Sequence, residues 1–241
     1  MKKLGFISGL IFLTLACFAQ YEVELTETVV QPPNFNYEGT LDSDEFKSPI
    51  CQYLHENLSN QNFYDNGVVI VLFTVKSDGT LTDFQLENSV SNSTDNAVIR
   101  SIESTSGMWN PGIVNGSAVD MQKALMVKFI DPENGTLEDL AQNNLEIAIR
   151  KYHKCIAIQN SLFLTAEKAD RKIQRKLASA LRVLDNANQY QPNEPAIVFW
   201  QARVYEQAGQ EMMKNQKLDE FKNLVNFNYS ALNETIEIVL K

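Results

Sequence analysis

Apolar residues change their spacing several times along this chain, and each change predicts an element. Leu4 to Ala16 is a mostly apolar stretch behind Lys2 and Lys3. Phe46, Ile50, Tyr53, Leu54 and Leu58 then recur at threes and fours, which predicts a helix over 43–58 with one buried face. Pro49 falls in its first turns, where a proline is tolerated. Gly67 to Val75 is a run of β-formers, followed by Ser77-Asp78-Gly79-Thr80 and an alternating stretch over 81–87. Asp-Gly between two such patterns predicts a hairpin. Helical spacing returns over 95–103, with Ala97, Val98 and Ile102 inward. Trp109, the Pro111-Gly112 turn and the Asn115-Gly116 turn lead into a last strand predicted over 119–130.

From Leu137 onward the period is helical. Leu145, Ala148, Ile149, Tyr152, Cys155 and Ile156 form one stripe, and Ile173, Leu177, Ala180, Leu181 and Leu184 another. Ile197, Trp200, Val204 and Ala208 predict a third helix, and Leu218, Phe221, Leu224 and Val225 a fourth. Leu232, Ile236, Val239 and Leu240 predict a fifth. Each stripe must be buried against a neighbour. Ala180 to Tyr190, Pro192 as a turn, and then Ala202, Tyr205, Ala208 and Gly209 resemble a tetratricopeptide repeat. At most two degenerate units fit, fewer than a repeat array needs to stand alone. The expectation is therefore a set of packed helical hairpins over 137–241.

Residues 33–131 read in the order helix, strand, strand, helix, strand. The economical packing is α+β: a three-stranded antiparallel sheet with both helices on one face. Local motifs accompany that order. They are Pro33-Asn34-Phe35 with Gly39, Tyr53-Leu54 with Asn57, Gly67-Val68-Val69 through Asp78-Gly79, and Trp109 with Pro111-Gly112 before Asn115-Gly116 and Val119. Together they resemble the C-terminal domain of the TonB energy transducers over nearly the whole stretch. One departure is Phe63-Tyr64-Asp65, which has no proline where the family commonly carries Tyr-Pro. The resemblance implies that the edge of the last strand pairs with a short extended segment of an outer-membrane receptor. An unpaired edge offers N–H and C=O groups to any extended peptide, so the implied mechanism is strand addition. The residues concerned are Val119, Asp120, Met121, Gln122, Lys123, Ala124, Leu125, Met126, Val127 and Lys128. Trp109, Pro111, Gly112 and Gly79 read as structural: an aromatic anchor and backbone turns.

Charge and cysteines add the compartment. The N-terminal pattern, basic and then apolar for 13 positions (4–16), is that of a secretory signal over 1–19. Cleavage before Gln20, lipidation at Cys17 and a retained anchor are the three outcomes it leaves open. Gln20 to Pro32 is polar and acidic and reads as a tether. Export places the chain where disulfides persist, so Cys51 and Cys155 either join the two halves or pack as buried thiols. The formal charge is −9 and it is unevenly spread: residues 20–131 hold 5 Lys/Arg against 16 Asp/Glu, whereas residues 132–241 hold 14 of each. This supports two domains and argues against nucleic-acid binding by the first. Lys168, Arg171, Lys172, Arg175 and Lys176 form a basic run, either a solvated helix face or a dock for the acidic half.

Enzyme chemistry is not legible. His55 and His153 lack partners at metal-ligand spacing. His153 and Cys155, two apart on a helix, point in different directions. No phosphate-binding glycine loop occurs. No cofactor is expected. The expected role is a non-enzymatic periplasmic binding or scaffold protein that recruits a protein or extended peptide. The rival is a shortened transducer that couples the inner membrane to an outer-membrane receptor, since neither a proline-rich arm nor a long anchor is evident.

Overall fold

The computed structural model describes residues 28–36, 41–42, 46–159, 165–226 and 234–240. The signal segment with Cys17, most of the tether, Gly39, residues 43–45 and Leu232 lie outside the described residues. The described chain is mixed α+β, with three sheets and six α-helices.

Two short strands come first, β1 (Val30–Gln31) and β2 (Asn34–Phe35). Helix α1 (Pro49–Leu58) follows. It starts at Pro49, whose fixed φ and missing N–H suit a first helical position, with Ser48 extended as its N-cap. Strands β3 (Gly67–Val75) and β4 (Leu81–Asn88) form the predicted hairpin. Its loop is closed by the Lys76 N–H on the Thr80 carbonyl (2.8 Å) and by the Asp78 carboxylate accepting from the Thr80 N–H (3.0 Å). Helix α2 (Asn92–Glu103) begins ahead of Asp95, because that side chain serves the turn before it, accepting from the Val90 N–H and the Ser89 hydroxyl.

Strands β5 (Trp109–Asn110), β6 (Gly112–Val114) and β7 (Ser117–Val119) precede the long β8 (Met121–Ile130). The small ladders hold the entering chain: β1 pairs with β6, and β2 with β5. Val30 and Gln31, read as tether, are therefore fixed by backbone pairing, which an apolar count does not register.

Helices α3 (Leu137–Gln159), α4 (Ala166–Tyr190), α5 (Pro195–Gln207) and α6 (Glu211–Asn226) follow a short 3-10 turn, Pro132–Asn134. The chain then returns to the sheet as β9 (Glu234–Val239). This corrects two expectations. The main sheet has four strands in the order β4-β3-β8-β9, not three, and it is not wholly antiparallel, because β9 lies parallel to β8. Nor is the final segment a helix. Ile236 and Val239 fit helical spacing, but Glu-Thr-Ile-Glu-Ile-Val also alternates and is rich in β-branched residues, and the pleat wins because it buries Ile236 and Ile238 together. Parallel neighbours need a crossover, and helices α3 to α6 provide it.

Val69, Val71 and Phe73 of β3, Leu125, Val127 and Phe129 of β8, and Ile236 and Ile238 of β9 meet α1 and α2 on one face. On the other face Val68 and Ile70 meet Leu137, with Met126, Ile130 and Tyr190 packed around them. Strand β3 is thus covered on both sides, which explains why its sequence is a continuous apolar run and not an alternation. A second core joins α3, α4 and α5 through Leu145, Tyr152, Leu177, Leu184 and Ile197.

Candidate strand-pairing site

Trp109 is built into the frame of the α+β unit. It is 4% exposed, its indole N–H donates to the Thr105 hydroxyl (2.9 Å), and its ring lies 5.3 Å from Phe35 and 5.6 Å from Phe73. Gly79 sits at φ +82°, and a Cβ there would overlap the Trp109 carbonyl oxygen. The hairpin loop and the Trp109 segment therefore interlock, and the Gly107 N–H donates to the Gly79 carbonyl (2.9 Å). Gly112 faces Met121, where a Cβ would press on the side chain. Pro111 stands between β5 and β6.

The ten predicted pairing residues fall into three environments. Val119 belongs to β7 and pairs with Gly112, and Asp120 pairs with Lys76 and accepts from the Ser77 N–H. Met121, Gln122, Lys123 and Ala124 line a cleft of ≈1010 Å³ between the sheet and helix α6. Leu125, Met126, Val127 and Lys128 lie in the middle of the sheet, with β3 on one side and β9 on the other.

That last placement is a correction. The last strand of the α+β stretch is not an edge over these four residues, because β9 pairs with β8 from Leu125 to Ile130. Among the described residues the edges of this sheet are β4, β9 and the Met121–Ala124 stretch of β8, which β9 does not reach. Strand β4 is a poor template: its register with β3 shifts twice and Asp83 takes a positive φ of 54°.

β9 is fitted position by position. Ile236 and Ile238 enter the helix-facing core, each 2% exposed. Glu234 accepts from Lys123 Nζ (2.9 Å) and from the Ser48 hydroxyl at the start of α1 (2.6 Å). On the opposite face Glu237 pairs with Lys128 at 3.5 Å, and the Thr235 hydroxyl lies 3.9 Å from the Met126 sulfur. Lys123 also stands 5.5 Å from the Trp109 ring centroid, so the motif tryptophan and the β9 carboxylate share one cation. The energy balance of β9 is nearly even. Burying two isoleucines contributes about 3–6 kcal/mol, and ladder hydrogen bonds about 1 kcal/mol each. Ordering six residues costs about 6–12 kcal/mol. Of the four strands, β9 is the one held by a single neighbour through a parallel ladder.

The two thiols do not meet. Both cysteines are free and buried. Cys51 lies under β9, with its sulfur 3.7 Å from the Thr235 carbonyl oxygen, and burial raises its pKa above 9.0. Cys155 lies between α3 and α4, 3.9 Å from the Ile173 carbonyl oxygen, and is raised for the same reason. The disulfide reading is overturned because each cysteine belongs to a different core. Among the described residues the basic run does not dock on the acidic half either. Lys168, Arg171, Lys172 and Arg175 are exposed on the first turns of α4, while its last turn, with Asn188, Gln189 and Tyr190, makes the contact with the sheet. His55 packs on Phe46, and His153 on Tyr152 and Trp200.

No described helix is long and apolar enough to cross a membrane. No protein-family model matches this chain, and no curated protein matches it at a significant level.

Proposed function

We propose that this chain is a non-enzymatic binding or scaffold protein of the periplasm. Its α+β unit is a TonB C-terminal-like module that holds an extended segment of a partner protein by strand addition. The observation that carries this reading is the parallel ladder on Leu125–Ile130. A strand that pairs with a segment delivered from beyond a helical unit has the geometry to pair with one delivered by another protein. Helices α1 and α2 on one face of β4-β3-β8, and a buried Trp109 just before the last strand of the hairpin unit, support the TonB-like assignment. Backbone groups supply most of the binding in such a mode, and no reacting group is required.

The test is an array of nine-residue extended segments drawn from exported proteins, probed with the full chain. Bound segments should share apolar residues at alternate positions and should lose binding when a proline is placed centrally. An array on which proline-containing and proline-free segments bind alike would end the strand-addition reading.

A further inference from the structure

We propose that β9 is a built-in occupant of the partner's place on β8, and that its own pattern states the partner's chemistry. The partner is an acidic extended segment running parallel to β8. It carries β-branched apolar residues at two alternate positions and carboxylates opposite Lys123 and Lys128. The inference rests on the strand-addition reading above. It adds what the segment must look like and that the segment competes with β9.

Charge placement carries the argument first. Residues 20–131 contain only 5 basic residues against 16 acidic ones, yet two of the five, Lys123 and Lys128, stand on β8. Each meets a carboxylate of β9, one on each face of the sheet. In a unit so rich in acidic residues, this strand carries two of the five cations and is prepared for an acidic neighbour. Glu234 is gripped further by the Ser48 hydroxyl, so one of the two carboxylate positions is a built receptor and not a chance surface pair.

Apolar placement agrees. The two isoleucines of β9 enter a pocket walled by α1 and β8, and that pocket is the only part of the helix-facing core that β9 supplies. Strands β4, β3 and β8 pair with one another without β9, and α2 packs on β3 and β4. The β8 ladder and its two lysines are therefore in place without their occupant. Strand β9 is bonded along one edge only among the described residues, and its outward side chains Glu237 and Val239 are exposed. A segment of the same pattern can replace it pair for pair, with the same ladder and the same two salt bridges.

The experiment uses a fluorescein-labelled peptide with the sequence of residues 232–240 and the full chain. Met126 and Thr235 are register partners with touching side chains, so Met126→Cys with Thr235→Cys, in a Cys51→Ala background, gives a lock that oxidation closes. The reduced protein should bind the peptide at least tenfold more tightly than the oxidised protein. A peptide with both glutamates changed to lysine should bind at least tenfold more weakly, and Lys123→Glu with Lys128→Glu should reverse that preference. On the unaltered chain, excess peptide should speed amide exchange in β9 and leave β3 protected, a readout that needs no variant to fold. Equal binding by the oxidised and reduced proteins, or unchanged exchange in β9, overturns the displacement. If the array still returns segments under those conditions, strand addition stands at another edge and only this inference fails. If neither this peptide nor any array segment binds, the reading beneath it fails as well.

Discussion

Gly79 and Gly116 share a left-handed backbone, each at φ +82°, but not the same surroundings. A Cβ on Gly79 meets the Trp109 carbonyl, while nothing lies within 4 Å of one on Gly116. Gly116→Ala should therefore lose only the conformational cost of that region, about 1–2 kcal/mol. Gly79→Ala should lose that and the contact as well, roughly 2–4 kcal/mol in total. Urea denaturation of the two variants measures the difference, and equal losses would mean that loop and tryptophan do not interlock. The Asp-Gly and Trp-Asn-Pro-Gly motifs are visible in the chain. That one glycine is a glycine because of the other motif's carbonyl is not, since no local pattern carries a contact between residues 30 positions apart. The cysteines give a prediction with a sign. Both thiols have pKa values raised by burial, so the folded state prefers the protonated form. That preference costs nothing below the unfolded-chain value near 9.0 and weakens the fold as pH rises from there through the raised values. Stability should fall above about pH 9, less steeply in Cys51→Ala. Neither thiol should react with a thiol reagent at neutral pH until the chain unfolds; prompt labelling of Cys51 would place it outside the core.

At the level of elements, the sequence was most readable where one pattern had one cause. Helices α1 and α2 and the β3–β4 hairpin follow from spacing and from Asp78-Gly79. Strand β3 shows no alternation because helices α1 and α2 cover one face and Leu137 and Tyr190 the other. Strand β9 was misread because its apolar residues satisfy two periods, and the choice between them is made by β8, more than a hundred positions earlier. The same error governs the predicted pairing site. A reading that ends the sheet at β8 must make β8 an edge. The consequence is measurable through Val127→Pro. On a free edge with its N–H outward, a proline removes binding and spares the fold. Val127 lies between Val69 and Ile236 in an interior strand, so the ring should break the sheet at a cost of about 3 kcal/mol or more. The expected result is loss of the buried Trp109 signal in fluorescence, with a fall in the ellipticity of α3 to α6 beside it, because the helices are tied to the sheet through β9. Native fluorescence in this variant would return β8 to the edge.

At the scale of the whole molecule, the helical unit is tied to the sheet at both ends and along one face. It leaves through Asp131, whose N–H donates to the Asn66 side chain (2.7 Å), and it returns as β9. Between these points Asn188 donates to Asn88 (3.3 Å), while Gln189 donates to the carbonyls of Asn66 (3.4 Å) and Val90 (3.3 Å). Each of these bonds contributes only about 0.5–1.5 kcal/mol, but the same face buries Leu137 against Val68 and Ile70, so the face contact and the return of the chain through β9 both couple the two cores. Two cores with three ties should melt as one. The two tryptophans allow this to be seen, because Trp109 lies in the first core and Trp200 packs against the second. In a Trp200→Phe chain, fluorescence reports the sheet and far-ultraviolet ellipticity reports mainly the helices, and their urea midpoints should coincide. Adding Ile236→Asn and Ile238→Asn removes the apolar anchor of β9 and should separate the midpoints. Asn88→Ala alone should shift them together, because it loosens the face and leaves the return intact. Midpoints that already differ before β9 is touched would mean that the helices are an appendage. Midpoints that part only when β9 is released would make this strand the joint of the molecule, so that any displacement of β9 from β8 would be felt by the helices as a loss of attachment.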